Sequence, residues 1–123
     1  MRQVLPILFW LIAIIHVLPA LSGLSGSRLA SLYGIEQGND TLMTLLQHRA
    51  VLFVFVAAAC IYAAHNPSAR WAVLIGAVIS MASFIVISFL RGTTSGALQK
   101  IIVVDAIGLV IAALAAVLLI KGS

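Results

Sequence analysis

Charge is what this sequence has least of. Only 8% of its 123 residues are charged, and the acids are just three, Glu36, Asp40 and Asp105. A soluble globular domain carries about 25% charged residues, so a water-facing surface cannot be built from this chain. Cysteine is almost missing: Cys60 stands alone, which excludes an intramolecular disulfide and leaves the redox compartment unmarked. Proline occurs only at Pro6, Pro19 and Pro67, so long uninterrupted helices are allowed. Basic clusters are lacking too. The seven Lys and Arg residues behind the net charge of +4 are single and spread over segment ends. They suit interfacial anchoring and not a nucleic-acid footprint.

What remains is apolar. Hydrophobic residues make up 63% of the chain, and the mean hydropathy is +1.23. A spanning helix needs about 20 mostly apolar residues at about 1.5 Å rise each. Four segments qualify, at about 4–21, 41–64, 70–90 and 98–120, with apolar cores at 4–21, 44–64, 71–90 and 100–120. The expected fold is therefore all-α: one integral membrane domain, an antiparallel bundle of four transmembrane helices, with a long, partly ordered link between the first two. Met1-Arg2 ahead of an apolar run imitates a signal peptide. The run is longer than the usual signal core of about 7–15 residues, so it reads as a helix that stays.

Punctuation supports these boundaries. Pro6 falls in a first turn, where a missing N–H does no harm, while Pro19 is expected to kink or finish its helix. In the Ser- and Gly-rich link, residues 27–33 have the spacing of a short interfacial helix ended by Gly34. Asp40 or Thr41 can cap the second helix, and Asn66-Pro67 stops it. Small residues recur at helical spacing in Ala13, His16 and Ala20, in Gly76, Ser80 and Ser83, and in Asp105, Gly108, Ala112 and Ala115. Such stripes let helices approach closely in lipid.

Up-and-down threading decides where the polar residues meet. His16 lies near the end of the first helix, Gln47, His48 and Arg49 near the start of the second, Ser88 and Arg91 near the end of the third, and Asp105 near the start of the fourth. All fall at one end of the bundle, roughly one to two turns below the interface at ~1.5 Å per residue. Tyr33 in the link can fold over the same mouth. Ionisable groups inside a membrane span are costly and usually face the bundle interior or water. Arg49 and Asp105 are expected to pair, because a guanidinium fits a carboxylate bidentately and either charge alone carries a large desolvation penalty.

Besides a subunit interface, two readings of this cluster stand side by side. In one it is a pocket: Arg49 holds an anionic or carbonyl group, Asp105 orients Arg49, His16 or His48 moves a proton, and Tyr33, Gln47, Ser88 and Arg91 contact the ligand. In the other it is a clasp that fastens the second helix to the fourth. No pair of histidines is spaced for a metal within one helix, and no cofactor motif occurs.

The segments His16-Val-Leu-Pro19, Leu32-Tyr33-Gly34-Ile35 and Gln47-His48-Arg49-Ala50-Val51-Leu52-Phe53, with Asp105 early in the last helix, resemble a group of small bacterial four-helix membrane proteins, similar in build to DoxX-like proteins. Members often carry the label phosphopantetheine adenylyltransferase. That enzyme is a soluble α/β nucleotidyltransferase with a His-x-Gly-His phosphate motif, and this chain has no such motif. The resemblance thus implies an architecture and a set of residues but no reaction.

The expectation is a small multi-pass protein whose polar pocket binds or converts a small lipophilic or amphiphilic molecule. The alternatives are a non-catalytic scaffold subunit held by the clasp and a small oligomeric transporter. The expected partners are membrane lipid, such a ligand, and further copies or a larger membrane complex, with no nucleic acid. Basic residues are nearly balanced between the two ends. The expected placement is a bacterial cytoplasmic membrane with both termini in the cytoplasm.

Overall fold

The computed structural model describes residues 4–22 and 40–122. The link at 23–39, with Tyr33 and the expected interfacial helix, lies outside the described residues.

The described chain is almost wholly helical. It forms α1 (Val4–Ser22), α2 (Asp40–His65), a 3-10 turn (Pro67–Ala69), α3 (Arg70–Arg91) and α4 (Ala97–Gly122). All four α-helices are long and apolar enough to cross a membrane. The longest, α2 and α4, have 26 residues each, about 39 Å at ~1.5 Å per residue. The first helix ends close to where it was expected, three residues past Pro19. Proline removes one backbone hydrogen bond, and near a helix end little remains for it to break.

The helices form a ring. α1 packs most extensively against α2 and also against α4, α3 packs against α4, and α2 against α3 is the least extensive of these four pairings. As α1 advances from Trp10 to His16, its partners on α2 retreat from His65 to Phe53. Phe9, Ile12, Cys60 and Met81 are the largest fully buried side chains. Around them the core is largely alanine, with Ala13, Ala57, Ala63, Ala77, Ala112 and Ala115 all buried. Small residues let helix backbones approach in lipid, where no hydrophobic force drives helices together.

Two of the three small-residue stripes are buried as expected, Ala13 to Ala20 on α1 and Gly108 to Ala115 on α4. Gly108 is held there by space, because a Cβ would run into the Met81 sulfur. The third stripe differs. Gly76 and Ser83 are exposed and Ser80 is half-buried, so this seam of α3 borders open clefts.

The turn between α2 and α3 is fastened at every step. A helix leaves its last carbonyls without partners, and a membrane environment makes that costly. Asn66 Nδ2 donates to the Tyr62 carbonyl (2.9 Å). Arg70 Nε donates to the Ala63 carbonyl (2.9 Å) and its Nη2 to that of Ala64 (2.8 Å). A cation at this position also meets the negative end of the α2 dipole. Near this turn Trp10 Nε1 donates to His65 Nε2 (3.2 Å), tying α1 to the end of α2.

Arg70→Met removes both guanidinium bonds and leaves two carbonyls without those donors. It should lower unfolding stability by about 2 kcal/mol, with Arg70→Lys recovering part of the loss. Thermal unfolding of the detergent-solubilised chain measures this.

Candidate functional site

A cleft of about 400 Å³ opens between α2 and α3 at the end where α2 starts and α3 finishes. Arg49, Leu52, Phe53 and Val56 line it from α2, and Ser80, Ser83, Phe84, Ile87 and Ser88 from α3. Thr93 and Leu98 close it from the next connection and the first turn of α4. Five of these residues are polar, an unusual density for so apolar a chain.

Arg49 is the cation of the cleft and is half-buried. Its guanidinium carbon lies 4.7 Å from the Phe53 ring centroid and 4.5 Å from that of Phe84. Phe53 stands one turn after Arg49 and shares its face; Phe84 reaches across from α3. The two rings hold the planar guanidinium between the helices through their negative π-faces, an attraction of about 2 kcal/mol where water is excluded.

His16 stands behind the α3 wall. It is buried, with Nδ1 3.0 Å from the Ile12 carbonyl and Nε2 3.3 Å from Ser80 Oγ. A carbonyl only accepts, so Nδ1 carries the proton. In the neutral ring Nε2 is then the acceptor, and the Ser80 hydroxyl donates to it. The imidazole also meets Phe53 edge-on, 5.5 Å between centroids. Phe53 thus touches both His16 and Arg49.

The end of α3 is shaped by its cap. Gly92 has φ +69°, in the left-handed region that favours glycine. Gly92 N–H donates to the Phe89 carbonyl (3.2 Å) and Thr93 N–H to that of Ser88 (2.9 Å), a Schellman closure. The Thr93 hydroxyl also reaches the Ser88 carbonyl (3.4 Å). This cap sets Thr93 on the lip of the cleft. The Ser88 side chain is 3% exposed and lines the cleft. Its hydroxyl makes no hydrogen bond among the described residues.

The expected residues separate into three groups. His16, Arg49 and Ser88 come together around this cleft, His16 through Ser80. Asp105 does not join them. It lines a smaller groove of about 210 Å³ between α1 and α4, with Ile15, Leu18, Pro19, Lys100, Ile101 and Val104. The expected Arg49–Asp105 bond is therefore corrected: among the described residues the two form no ion pair. Arg49 is turned to α3, and α4 presents Asp105 to α1. Gln47, His48 and Arg91 are exposed and line neither cavity. For His48 the reason is rotation: neighbours on a helix stand about 100° apart, so a helix that aims Arg49 inward turns His48 away. Tyr33 lies outside the described residues.

Sequence reasoning missed Phe53 and Phe84 as partners of the cation. A signal was present. Arg49 and Phe53 stand at i and i+4, as do Ser80, Phe84 and Ser88, and such pairs share a helix face.

Among the described residues no three His, Cys, Asp or Glu side chains gather as a metal-binding group. The cleft's chemistry is that of a cation and hydroxyls: it can bind an anionic or carbonyl group beside apolar walls. No family model, characterised protein or solved structure matches the chain.

Without a direct bond, Arg49→Met and Asp105→Leu should act almost independently on stability. Their coupling in a double-mutant cycle should stay below about 1 kcal/mol, against up to roughly 3 kcal/mol for groups in direct contact. Chemical unfolding of the two single variants and the double variant checks it.

Proposed function

We propose that the chain is an antiparallel four-helix protein of a bacterial cytoplasmic membrane, DoxX-like in build, that binds a small amphiphilic molecule in the α2–α3 cleft. One observation carries this reading: a guanidinium positioned by two aromatic rings, on the wall of a cavity that also presents Ser80, Ser83, Ser88 and Thr93. Pockets for small molecules are mostly apolar, with a few placed polar groups that fix orientation. Arg49 supplies charge, the hydroxyls supply donors and acceptors, and Leu52, Val56 and Ile87 supply the apolar wall. His16 holds the Ser80 hydroxyl in place and offers a proton-accepting nitrogen next to it.

A second reading has support of its own. Arg49 lies between Phe53 on α2 and Phe84 on α3, so it also acts as a fastener between those helices. The two readings differ in what the cation is for. If it recognises a ligand, Arg49→Gln loses at least tenfold of the amphiphile retained through purification, about 1.4 kcal/mol of binding, and Arg49→Lys keeps most of it. If it only fastens, both variants lower stability and neither changes what is retained. Native mass spectrometry with solvent extraction, run beside thermal unfolding, separates the two.

A further inference from the structure

The α2–α3 seam holds a second cleft beyond the first. It has a volume of about 280 Å³ and is lined by Phe55, Val56, Ala59, Ala72, Val73 and Gly76, with Ala77 at its floor. Val56 borders both cavities, so they meet along one seam. Their characters are opposite. The first has Arg49 and four hydroxyl residues, while the second is lined by apolar side chains and glycine. Gly76 borders open space: a Cβ built on it meets nothing within 4 Å.

Resting on the reading of the polar cleft as a binding site, we infer that its occupant is a single-chain amphiphile with an anionic head, carboxylate or phosphate, seated by Arg49, and a tail that runs past Val56 to Gly76. Three observations support this. At one end the guanidinium of Arg49 is held by two rings, and a carboxylate or phosphate is the head group that such a planar fork takes bidentately. Ser88 is a buried residue that lines the cleft wall, and its hydroxyl can donate to an anionic oxygen there. The seam continues from the head cleft in one direction, with only small or apolar residues along it.

The size fits one chain. From Arg49 to Ala59 is ten residues of helix, about 15 Å, the reach of roughly a dozen extended chain carbons. A helix about 10–12 Å across cannot enter a cleft of 280 Å³ and could only lie over it.

Gly76→Leu tests the tail path, because it adds a side chain where there is space to receive one and leaves the head cleft untouched. The full chain in detergent is titrated with hexanoate, dodecanoate and uncharged dodecanol, and binding is read by native mass spectrometry. Wild type is expected to bind dodecanoate at least tenfold more tightly than hexanoate, and more tightly than dodecanol. Gly76→Leu is expected to abolish the preference for the longer acid while hexanoate binding is unchanged. Should that variant not fold, Ala72→Leu on the same wall makes the same test. A chain-length preference that survives a folded blocking variant overturns the tail path, while hexanoate binding that depends on Arg49 would leave the head site standing. Equal binding of dodecanol means annular lipid only and overturns the inference. A wild-type dimer that Gly76→Leu converts to monomer, with the preference intact, would make the seam an interface between copies. No carboxylate binding at any length would remove the head site itself.

Discussion

A guanidinium placed inside an apolar helix bundle must find compensation, and the way Arg49 finds it organises this molecule. An arginine costs about 2.5–3.5 kcal/mol at mid-membrane by insertion scales, and less toward a helix end, where Arg49 stands. Two ring contacts, at 4.7 Å to Phe53 and 4.5 Å to Phe84, offset part of this. Phe53 is one turn away on the same helix, so the arrangement fixes the rotation of α2 about its own axis. With Arg49 and Phe53 aimed at α3, the side of α2 carrying Ala50, Ala57, Cys60 and Ala64 becomes the buried one. That small-residue side makes the extensive contact with α1.

The cleft follows from the same constraint. Two phenylalanines and an arginine stand between α2 and α3 at this end and hold the helices apart. The α2–α3 pairing is the least extensive around the ring, and two clefts lie along it, while an apolar groove of about 370 Å³ lies between α3 and α4. The stripe from Gly76 to Ser83 had the spacing of a close helix contact, yet it lines the two clefts. A small-residue stripe permits approach and does not compel it. His16 reinforces the wall from behind. Its Nδ1 is committed to the Ile12 carbonyl, which leaves Nε2 to hold the Ser80 hydroxyl at a set position.

Depth was legible in the sequence, and direction was not. Hydropathy located the four long apolar helices to within a few residues. His16, Arg49 and Ser88, expected at one end, do lie around one cleft. Rotation is a finer quantity. His48 and Arg49 are adjacent in sequence and equal in hydropathic setting, yet one is exposed and the other lines the cleft. Arg49 and Asp105 invited pairing because their charges are opposite and their depths match. The ring order places α2 next to α1 and α3, however, and Asp105 opens toward α1. What could have decided the partner was the aromatic at i+4, since a cation with a ring one turn away already has a neighbour in a medium of low dielectric.

Arg49 on the wall of the α2–α3 cleft should give that cleft a preference for anions over cations. Cys60 is the chain's single cysteine and is buried, so Ser83→Cys on a Cys60→Ser background places one reporter thiol on the cleft wall. Its rate of modification by an anionic thiosulfonate reagent, compared with a cationic one of similar size, measures the local charge directly. The anionic reagent should react several-fold faster, and Arg49→Gln should remove the difference. Equal rates for both reagents with Arg49 in place would contradict that preference, as would a thiol that neither reagent reaches.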